Sequence, residues 1–278
     1  MILIADSGST KTNWSLVSED SNAQSCITDG INPFFLSEKE IINILEDKFT
    51  LPKENITTIY FYGAGCIPKK SFLVSEALNV FFHANSIEVN SDLLAAAHSL
   101  CDKKEGIVCI LGTGSNSGYY DGEKIIKTVS PLGYILGDEG SGAVLGKKLL
   151  AGILKNQMSD PVIYDFYNTY HLNLVEIMDK VYCQPFPNRF LAQFTPFIYS
   201  HISHSDIQKL VKNSFVEFIE RNVFQYQKAD RLPIHFTGSI AYYFKNILEE
   251  VCSQFDLSMG NTTKEPMSGL IKYHLKKN

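Results

Sequence analysis

The chain begins with MILIADSGSTKTNWSLV, residues 1–17. This stretch predicts a short apolar strand, a tight turn rich in Gly, Ser and Thr, and a second strand. Small residues let the backbone approach a polyphosphate closely, so that several N–H and O–H groups reach it together. Asp6 ends the first strand, where its carboxylate would hold Mg²⁺ directly or through water, and Lys11 would add a positive charge. A hairpin whose turn is merely polar has the same composition and stays an alternative.

Two later turns are also rich in small residues, LGTGSN at 111–116 and FTGSIA at 236–241. The first of them follows an apolar run that is typical of a buried strand, and it leads into a second strand and a hairpin. Strand, polar glycine turn, strand, turn and strand therefore occur in the same order from Met1 and from Gly106. This repeat of topology predicts two similar lobes with a cleft, and the three turns predict one nucleotide held there.

Length and composition exclude several classes of protein. A chain of 278 residues is long enough for two lobes, and 45% hydrophobic with 20% charged residues is typical of a soluble globular protein. The formal net charge of −5 argues against a nucleic-acid-binding surface, because such a surface needs a basic excess to replace the counterions of phosphates. We therefore expect no nucleic-acid partner.

The six cysteines are scattered, with no C-x-x-C pair and no histidine at zinc-ligand spacing. This distribution predicts mostly buried free thiols in a reducing compartment. No positively charged segment precedes the first apolar run, and no apolar run approaches the roughly 20 residues that a membrane span requires. We expect a cytoplasmic protein with no membrane partner.

The rest of the chain alternates between helical and strand patterns. Ser37 followed by Glu40 forms a capping box for a helix from Glu38 to about Phe49. A β-branched and aromatic run at 57–62 predicts a buried strand. The other predicted elements are a third strand at 25–28, helix 70–83, strand 86–89, a helix that Asp138 and Glu139 open and that runs to about Leu154, helices between 159 and 229, strand 231–236, helix 240–252 and a terminal helix at 265–277.

Two acidic positions are candidates for chemistry. Asp92 follows a strand and begins a helix, at the edge of an open α/β sheet where ligands bind. It is either a general base or only a helix N-cap or first-turn acid. Asp138 and Glu139 stand between glycines, a poor place to bury charge without a purpose, although an ordinary acidic helix N-terminus stays an alternative.

The turns, in this order, resemble the actin/hexokinase/heat-shock-ATPase superfamily, and within it the BadF/BcrA-type ATPase family that contains N-acetylglucosamine kinase. The string LGDEGS at 136–141 is the most specific match, and the resemblance covers essentially the whole chain. It implies an α/β fold of two ribonuclease-H-like, actin-like ATPase lobes with a central cleft. The implied lobes are 1–104, on which the C-terminal helix 266–278 packs back, and 105–265, which a helical insertion at about 156–230 enlarges.

The resemblance also implies roles for individual residues. Asp92 would accept the proton of a sugar hydroxyl, and Asp6 would organise Mg²⁺. The residues implied for the sugar are Asn32, Asp92, Ser115, Leu132, Gly133 and Asp138. Those implied for ATP are Ser9, Thr10 and Lys11 in the first turn, Thr113 and Gly114 in the second, and Gly238 and Ser239 beside the adenosine.

The implied activity is ATP-dependent phosphorylation of an amino-sugar hydroxyl, the 6-hydroxyl of N-acetylglucosamine in the first place. Kinases of this kind carry a Trp in the stretch that here contains Leu132, so N-acetylglucosamine, glucosamine and N-acetylmuramic acid all stay open. Two alternatives stay open as well: an ATPase that activates a radical dehydratase or reductase through an iron–sulfur cluster, and a non-catalytic amino-sugar sensor. The sequence leaves the oligomeric state open, a homodimer included.

Overall fold

A computed structural model of the chain describes residues 1–8, 10–18 and 22–277. The strands are β1 (Ile2–Ser7), β2 (Lys11–Val17), β3 (Ala23–Asp29), β4 (Thr58–Gly63), β5 (Ser86–Ser91), β6 (Gly106–Leu111), β7 (Ser115–Tyr120), β8 (Ile125–Val129), β9 (Ile234–Thr237) and β10 (Met259–Thr263). The helices are α1 (Glu38–Lys48), α2 (Pro68–Phe82), α3 (Asp92–Leu100), α4 (Gly133–Leu136), α5 (Gly142–Leu154), α6 (Asp160–Tyr170), α7 (Leu174–Tyr182), α8 (Pro187–Ala192), α9 (Thr195–Ser200), α10 (Ser205–Arg221), α11 (Ser239–Tyr243), α12 (Lys245–Gln254) and α13 (Met267–Lys277).

The chain divides into two compact units. The first contains residues 1–104, 122–125 and 265–278, and the second contains residues 105–121 and 126–264. Each unit has a mixed five-stranded sheet and its own hydrophobic core.

The sheet of the first unit has the strand order β3-β2-β1-β4-β5. Strands β1, β2 and β3 form an antiparallel meander, whereas β4 and β5 continue from β1 in parallel. The register aligns Ser7, Gly63 and Ser91 in one row. Because parallel strands end at the same edge of a sheet, this row marks the carboxyl edge on which ligands of open α/β sheets bind.

Local sequence explains the first helix and its packing. The Ser37 hydroxyl accepts the Glu40 N–H at 3.4 Å, and the Glu40 carboxylate accepts the Ser37 N–H at 2.8 Å, so the predicted capping box is confirmed. The buried indole of Trp14 packs against the rings of Phe49, Phe61 and Phe82. These aromatic contacts lie in the core between the sheet and helices α1 and α2.

The C-terminal helix α13 packs against α3 and β1 within the first unit. A buried hydrogen-bond network fixes it there, in which the Tyr62 hydroxyl lies 2.8 Å from His98 Nδ1 and 2.9 Å from His274 Nε2. The three side chains come from β4, α3 and α13. Removing the shared hydroxyl would therefore loosen both helices from the sheet.

The second sheet, β10-β9-β6-β7-β8, repeats the strand order of the first. Strand β6 takes the central place of β1, with β7 antiparallel on one side and β9 and then β10 parallel on the other. This finding confirms the repeat of topology that the sequence predicts. Helices α6 to α10 follow α5 and precede β9, as the helical periodicity from Ser159 to Ala229 predicts.

The secondary structure differs from the sequence-based prediction at three places, apart from shifts of up to three residues at the ends of other elements. Helix α5 begins at Gly142, after Asp138 and Glu139, because Gly140 adopts a left-handed φ of 73° and Ser141 provides the N-cap. The helix predicted at 240–252 is two helices, with Phe244 between them. Strand β10 has no predicted counterpart, since its sequence MGNTT lacks apolar alternation.

The state of the thiols agrees with a further expectation. All six cysteines are free, and four of them are buried: Cys66, Cys101, Cys109 and Cys252. Among the residues that the structure describes, no helix combines the length and the apolar character that a bilayer crossing demands.

Candidate active site

The carboxyl edge of the first sheet carries the acidic candidates of the first unit. Asp6 is the penultimate residue of β1, and Asp92 follows β5 directly as the first residue of α3. Their charges interact, because Asp92 raises the pKa of Asp6. The parallel arrangement of β1, β4 and β5 therefore brings the two predicted carboxylates to one edge.

Asp6 lies in a crowded acidic environment. Burial, then the charges of Asp92 and Glu265, raise its pKa to about 7, while Lys11 and a hydrogen bond from the Asn13 side chain oppose the rise. Lys11 Nζ itself lies 2.8 Å from Glu265 Oε1. A carboxyl group whose ionisation is unfavourable when it is alone ionises more readily beside a cation.

The Asp6 carboxylate fits Mg²⁺, because this ion prefers oxygen ligands and keeps several of its waters. Across residues 1–8, 10–18 and 22–277, no group of three or more His, Cys, Asp or Glu side chains has the arrangement of a metal cage. A single carboxylate is compatible with Mg²⁺ that keeps most of its waters, and the assignment of Asp6 to the metal stays a prediction.

The environment of Asp92 separates two of its alternatives. The N-cap of α3 is Ser91, whose hydroxyl accepts the Leu94 N–H at 3.2 Å, so the N-cap interpretation of Asp92 is wrong. Asp92 does lie in the first turn of α3, so the interpretation as a first-turn acid fits the structure. Asp92 Oδ1 accepts the Leu93 N–H at 2.8 Å. Burial nevertheless raises the pKa of Asp92, against the opposing effect of the N–H groups of Leu93 and of Asp92 itself. A raised pKa strengthens a carboxylate as a proton acceptor, and the base role stays a prediction.

Asn32 follows Ile31, which Ser7 of β1 holds, and its own side chain lies against the turn after β4. The Ser7 hydroxyl donates to the Ile31 carbonyl at 3.1 Å and accepts the Ile31 N–H at 2.9 Å. Asn32 Oδ1 accepts the Phe34 N–H at 2.9 Å, and a β-carbon added at Gly65 would lie 2.4 Å from this oxygen. Sequence reasoning does not single out Ser7 or Gly65, although the Gly-Ala-Gly turn that ends β4 is a signal for close backbone approach.

The first turn is closed by backbone hydrogen bonds. The Gly8 N–H donates to the Lys11 carbonyl at 3.0 Å, and the Gly30 N–H donates to the Thr10 carbonyl at 3.1 Å. Thr10 is exposed. Ser9, the other predicted phosphate contact in this turn, lies outside the described residues.

In the second unit, the glycine turn after β6 contacts Asp138 directly. A β-carbon added at Gly114 would lie 2.9 Å from Asp138 Oδ2, and the Ser115 N–H donates to the Asp138 carboxylate. Burial raises the pKa of Asp138 to about 6, with the Ser115 N–H and Lys147 opposing and Glu139 adding to the rise. The structure therefore brings three predicted residues together, and their roles toward a sugar or a nucleotide stay predictions.

The two glycine turns of the second unit also touch one another. A β-carbon added at Gly238 would lie 2.2 Å from the Leu111 carbonyl oxygen and 3.2 Å from the Gly112 nitrogen. Gly238 has a φ of 115°, which L-residues rarely adopt, so glycine is required here on two grounds. Ser239 begins α11 directly after it. The N–H groups of Gly142 and Ala143 at the start of α5 donate to the carbonyls of Gly112 and Thr113 at 2.8 and 3.0 Å.

A cavity of about 430 Å³ adjoins these turns within the second unit. Its walls include Ser239 and the ring of Tyr243, whose hydroxyl accepts a hydrogen bond from Lys264 at 2.9 Å. Tyr199 packs on Tyr243 with a centroid separation of 5.4 Å. The remaining lining residues are Thr195, Pro196, Ile240 and Phe244. Aromatic walls with a few polar groups are typical of a site for a planar ligand.

The segment between β8 and α5 exposes the predicted sugar contacts Leu132 and Gly133. Both have left-handed backbones, with φ of 58° and 73°. Leu132 is 59% exposed, and no atom lies within 4 Å of the position that a Gly133 β-carbon would take. The backbone of this segment is therefore open to a ligand.

Glu139 is buried, and both of its carboxylate oxygens bind other residues of the protein. Its Oε1 lies 2.6 Å from Arg221 Nη1, and its Oε2 accepts from Asn222 Nδ2 at 3.2 Å. The Ser214 hydroxyl accepts the Gly140 N–H at 3.2 Å. Residues from α10 and its C-terminal end therefore fasten the turn that carries Asp138, a contact that sequence reasoning misses because the partners lie far along the chain.

The chain is 46% identical to a Porphyromonas gingivalis protein whose crystal structure has a provisional assignment as an N-acetylglucosamine kinase, over 99% of each chain and with a TM-score of 0.96. A Chromobacterium violaceum protein with the same provisional assignment is 16% identical over 98% of each chain, with a TM-score of 0.77. A ROK family glucokinase from Streptomyces griseus, solved with glucose and AMPPNP, is 11% identical over 98% of this chain and 97% of that chain, with a TM-score of 0.58. No family model and no curated sequence matches the chain.

The second and third similarities show the fold alone, and they confirm the predicted α/β class of the actin-like ATPases. The Porphyromonas gingivalis protein, in contrast, shares 46% of its residues with this chain along nearly the full length of both. This similarity shows that the chain belongs to the N-acetylglucosamine kinase-like family of sugar kinases.

Proposed function

We propose that this protein is an ATP-dependent sugar kinase that transfers the γ-phosphoryl group to the 6-hydroxyl of an amino sugar, N-acetylglucosamine in the first place. The observation that carries the proposal is the place of Asp92 on the carboxyl edge of the first sheet, with a pKa that burial raises. A kinase of this kind needs a carboxylate there to accept the proton as the sugar oxygen attacks phosphorus. The products are ADP and the sugar phosphate.

In the first unit, Asp92 takes the hydroxyl proton and Asn32 hydrogen-bonds the sugar. The contacts of Asn32 with Gly65 and Phe34 support this role, because they fix the side chain before a ligand arrives. Asp6 would hold Mg²⁺, which supplies charge neutralisation on the phosphates when it is bound. Thr10 and Lys11 bind phosphate oxygens, and Ser9 is assigned to the same task.

In the second unit, Thr113 and Gly114 bind phosphate oxygens, while Gly238 and Ser239 contact the adenosine. The cavity lined by Tyr199, Tyr243 and Ser239 has room for an adenine ring, which supports this assignment. Ser115, Leu132, Gly133 and Asp138 contact the sugar. The bond from the Ser115 N–H to Asp138 supports a pre-oriented acceptor for a sugar hydroxyl.

A coupled assay of ADP release with a panel of sugars tests the proposal. The panel is N-acetylglucosamine, glucosamine, N-acetylmuramic acid and glucose, each with and without Mg²⁺. We expect ADP release that depends on an amino sugar, with one equivalent of sugar 6-phosphate per ADP in the product analysis. Sugar-independent ATP hydrolysis by a brown, iron-containing protein indicates an activator of a radical enzyme, and tight sugar binding without turnover indicates a sensor. Either result overturns the proposal.

A further inference from the structure

Lys147, on α5, reaches back to the segment that precedes its own helix. Its Nζ donates to the Tyr134 carbonyl at 2.6 Å, and the side chain is half-buried. Tyr134 belongs to α4, next to the exposed Leu132–Gly133 backbone. The lysine therefore connects the body of the second unit to the segment of residues 131–138, here called the 131–138 loop.

The 131–138 loop has a conformation that its residues do not favour by themselves. Leu132 and Asp138 have left-handed φ values of 58° and 56°, which are uncommon for residues other than glycine. The Asp138 N–H donates to the Pro131 carbonyl at 3.1 Å and closes the loop at its base. A closed loop with two unfavourable backbones needs contacts with the rest of the unit to persist. The Lys147 hydrogen bond is such a contact at the middle of the loop.

Two cations near Lys147 are paired with glutamates, whereas Lys147 is the cation whose charge acts on Asp138. Lys148 Nζ lies 2.7 Å from Glu217, and Arg221 lies 2.6 Å from Glu139. The charge of Glu139 raises the pKa of Asp138, and the charge of Lys147 lowers it. In turn, burial and Lys148 lower the pKa of Lys147, whereas Glu217, Glu139 and Asp138 raise it.

We propose that Lys147 is a positioning residue for the sugar: its hydrogen bond to the Tyr134 carbonyl fixes the 131–138 loop, and its ammonium charge supports the Asp138 carboxylate as a hydrogen-bond acceptor. The proposal rests on the proposed function, because it takes Asp138, Leu132 and Gly133 to be sugar contacts. Lys147 touches neither the sugar nor the nucleotide in this account. Its removal should therefore weaken sugar binding far more than turnover or ATP binding.

Three variants isolate this role. Lys147→Met removes the charge and the hydrogen bond at similar length, Lys147→Arg keeps both, and Lys148→Met is the matched control because Lys148 is paired with Glu217 on α10. We expect Lys147→Met to raise the KM of the sugar about tenfold, with kcat and the KM of ATP within about twofold of the wild type. Lys147→Arg should restore the sugar KM, and Lys148→Met should leave it unchanged. Equal sugar KM values for Lys147→Met and Lys148→Met overturn the proposal.

The pH profile supplies a readout that loss of packing alone would not change. Asp138 accepts sugar hydroxyls as a carboxylate, so sugar affinity falls as the pH falls through its pKa of about 6. Removing a nearby positive charge raises the pKa of a carboxyl group. The acid limb of the sugar KM profile should move to higher pH in Lys147→Met and stay in place in Lys148→Met. An unmoved limb in Lys147→Met contradicts the electrostatic part of the proposal.

Hydrogen–deuterium exchange separates the failure of this proposal from the failure of the proposed function. It is measured on the full chain without substrates, so that its outcome does not depend on any activity. Amides of the 131–138 loop should exchange at least about tenfold faster in Lys147→Met than in the wild type and in Lys148→Met. Unchanged exchange overturns the positioning role even if the protein is a sugar kinase. Faster exchange supports the contact by which Lys147 fixes the loop, and a sugar panel without turnover then contradicts the proposed function separately.

Discussion

The carboxylate of Asp138 lies beside Gly114, so that a β-carbon added at Gly114 would be 2.9 Å from Asp138 Oδ2. The glycine turn after β6 and the turn before α5 thus form one surface, although they are far apart in sequence. A ligand group that one turn binds therefore lies at a fixed distance from the other turn. In the proposed function, this contact keeps the phosphate-binding turn and a sugar-binding carboxylate at a fixed distance.

Gly114→Ala tests this contact. The added methyl group must displace the Asp138 carboxylate, and we expect the melting temperature to fall by about 2–4 °C, which corresponds to overpacking of about 1 kcal/mol in a chain of this size. The KM of the sugar should rise as well. Gly112→Ala is the matched control for stability, because nothing lies within 4 Å of its β-carbon position. Equal melting temperatures for the two variants, with wild-type sugar affinity in Gly114→Ala, contradict the contact.

Asp138→Asn tests the burial of this carboxylate through the pH dependence of stability. Its pKa is raised from an ordinary 3.8 to about 6, so the folded state holds the proton more tightly than the unfolded chain. The stabilisation is complete below pH 3.8 and is lost as the pH rises through 6. Asn has the same shape and no such titration. Urea unfolding should find the variant about as stable as the wild type at acidic pH and more stable by up to about 2 kcal/mol at pH 8, after allowance for partial solvent exposure. A constant difference at all pH values would falsify this account.

Glu139 and Arg221 should show energetic coupling. Arg221→Met leaves a buried carboxylate without its cation, and we expect a loss of about 1–2 kcal/mol in the free energy of unfolding, less than for a fully buried pair because the arginine is largely exposed. Glu139→Gln removes the charge, so adding Arg221→Met to it should cost little. A double-mutant cycle by urea unfolding measures the difference. Additive effects of the two substitutions would show that the ion pair contributes nothing.

Asp6→Asn tests the assignment of Mg²⁺. The amide has the shape of the carboxylate but lacks its charge, so we expect the Mg²⁺ concentration for half-maximal ADP release to rise at least about tenfold, with little change in the KM of the sugar. Asn at position 6 also relieves the repulsion from Asp92 and Glu265, so the metal-free variant should melt at a higher temperature than the metal-free wild type at pH 8. An unchanged Mg²⁺ requirement removes Asp6 from the metal site.

Local patterns in the sequence account for much of the fold. The Ser37 and Glu40 capping box and the β-branched run of β4 encode their elements within a few residues, and the structure contains both. Strand β10 escapes prediction because Gly260 and Asn261 interrupt any alternation, and its place comes from pairing with β9. The predicted start of α5 is too early, because the sequence does not show which of the glycines near Asp138 is left-handed. That glycine is Gly140, and the helix begins only after it.

The sequence allows candidate site residues to be named one by one, but it does not give their arrangement. The position of Asp92 after a strand is visible in the sequence, whereas the bonds by which Ser91 caps α3 and Asp92 Oδ1 accepts the Leu93 N–H are a matter of side-chain geometry. The contacts between Gly114 and Asp138 and between Lys147 and Tyr134 depend on how segments meet within the second unit. Such contacts carry no periodic signal, because only the folded chain creates them.

The most direct test of the central claim compares the wild type with Asp92→Asn in sugar-dependent ADP release, with sugar affinity measured in parallel by calorimetry. The substitution keeps the shape of the side chain and removes its ability to accept a proton. We predict that kcat falls at least about a hundredfold, the usual scale for loss of a general base, while the Kd of N-acetylglucosamine changes by less than about threefold. Near-wild-type turnover in Asp92→Asn would contradict the assignment of Asp92 as the base, and with it the mechanism proposed for this kinase.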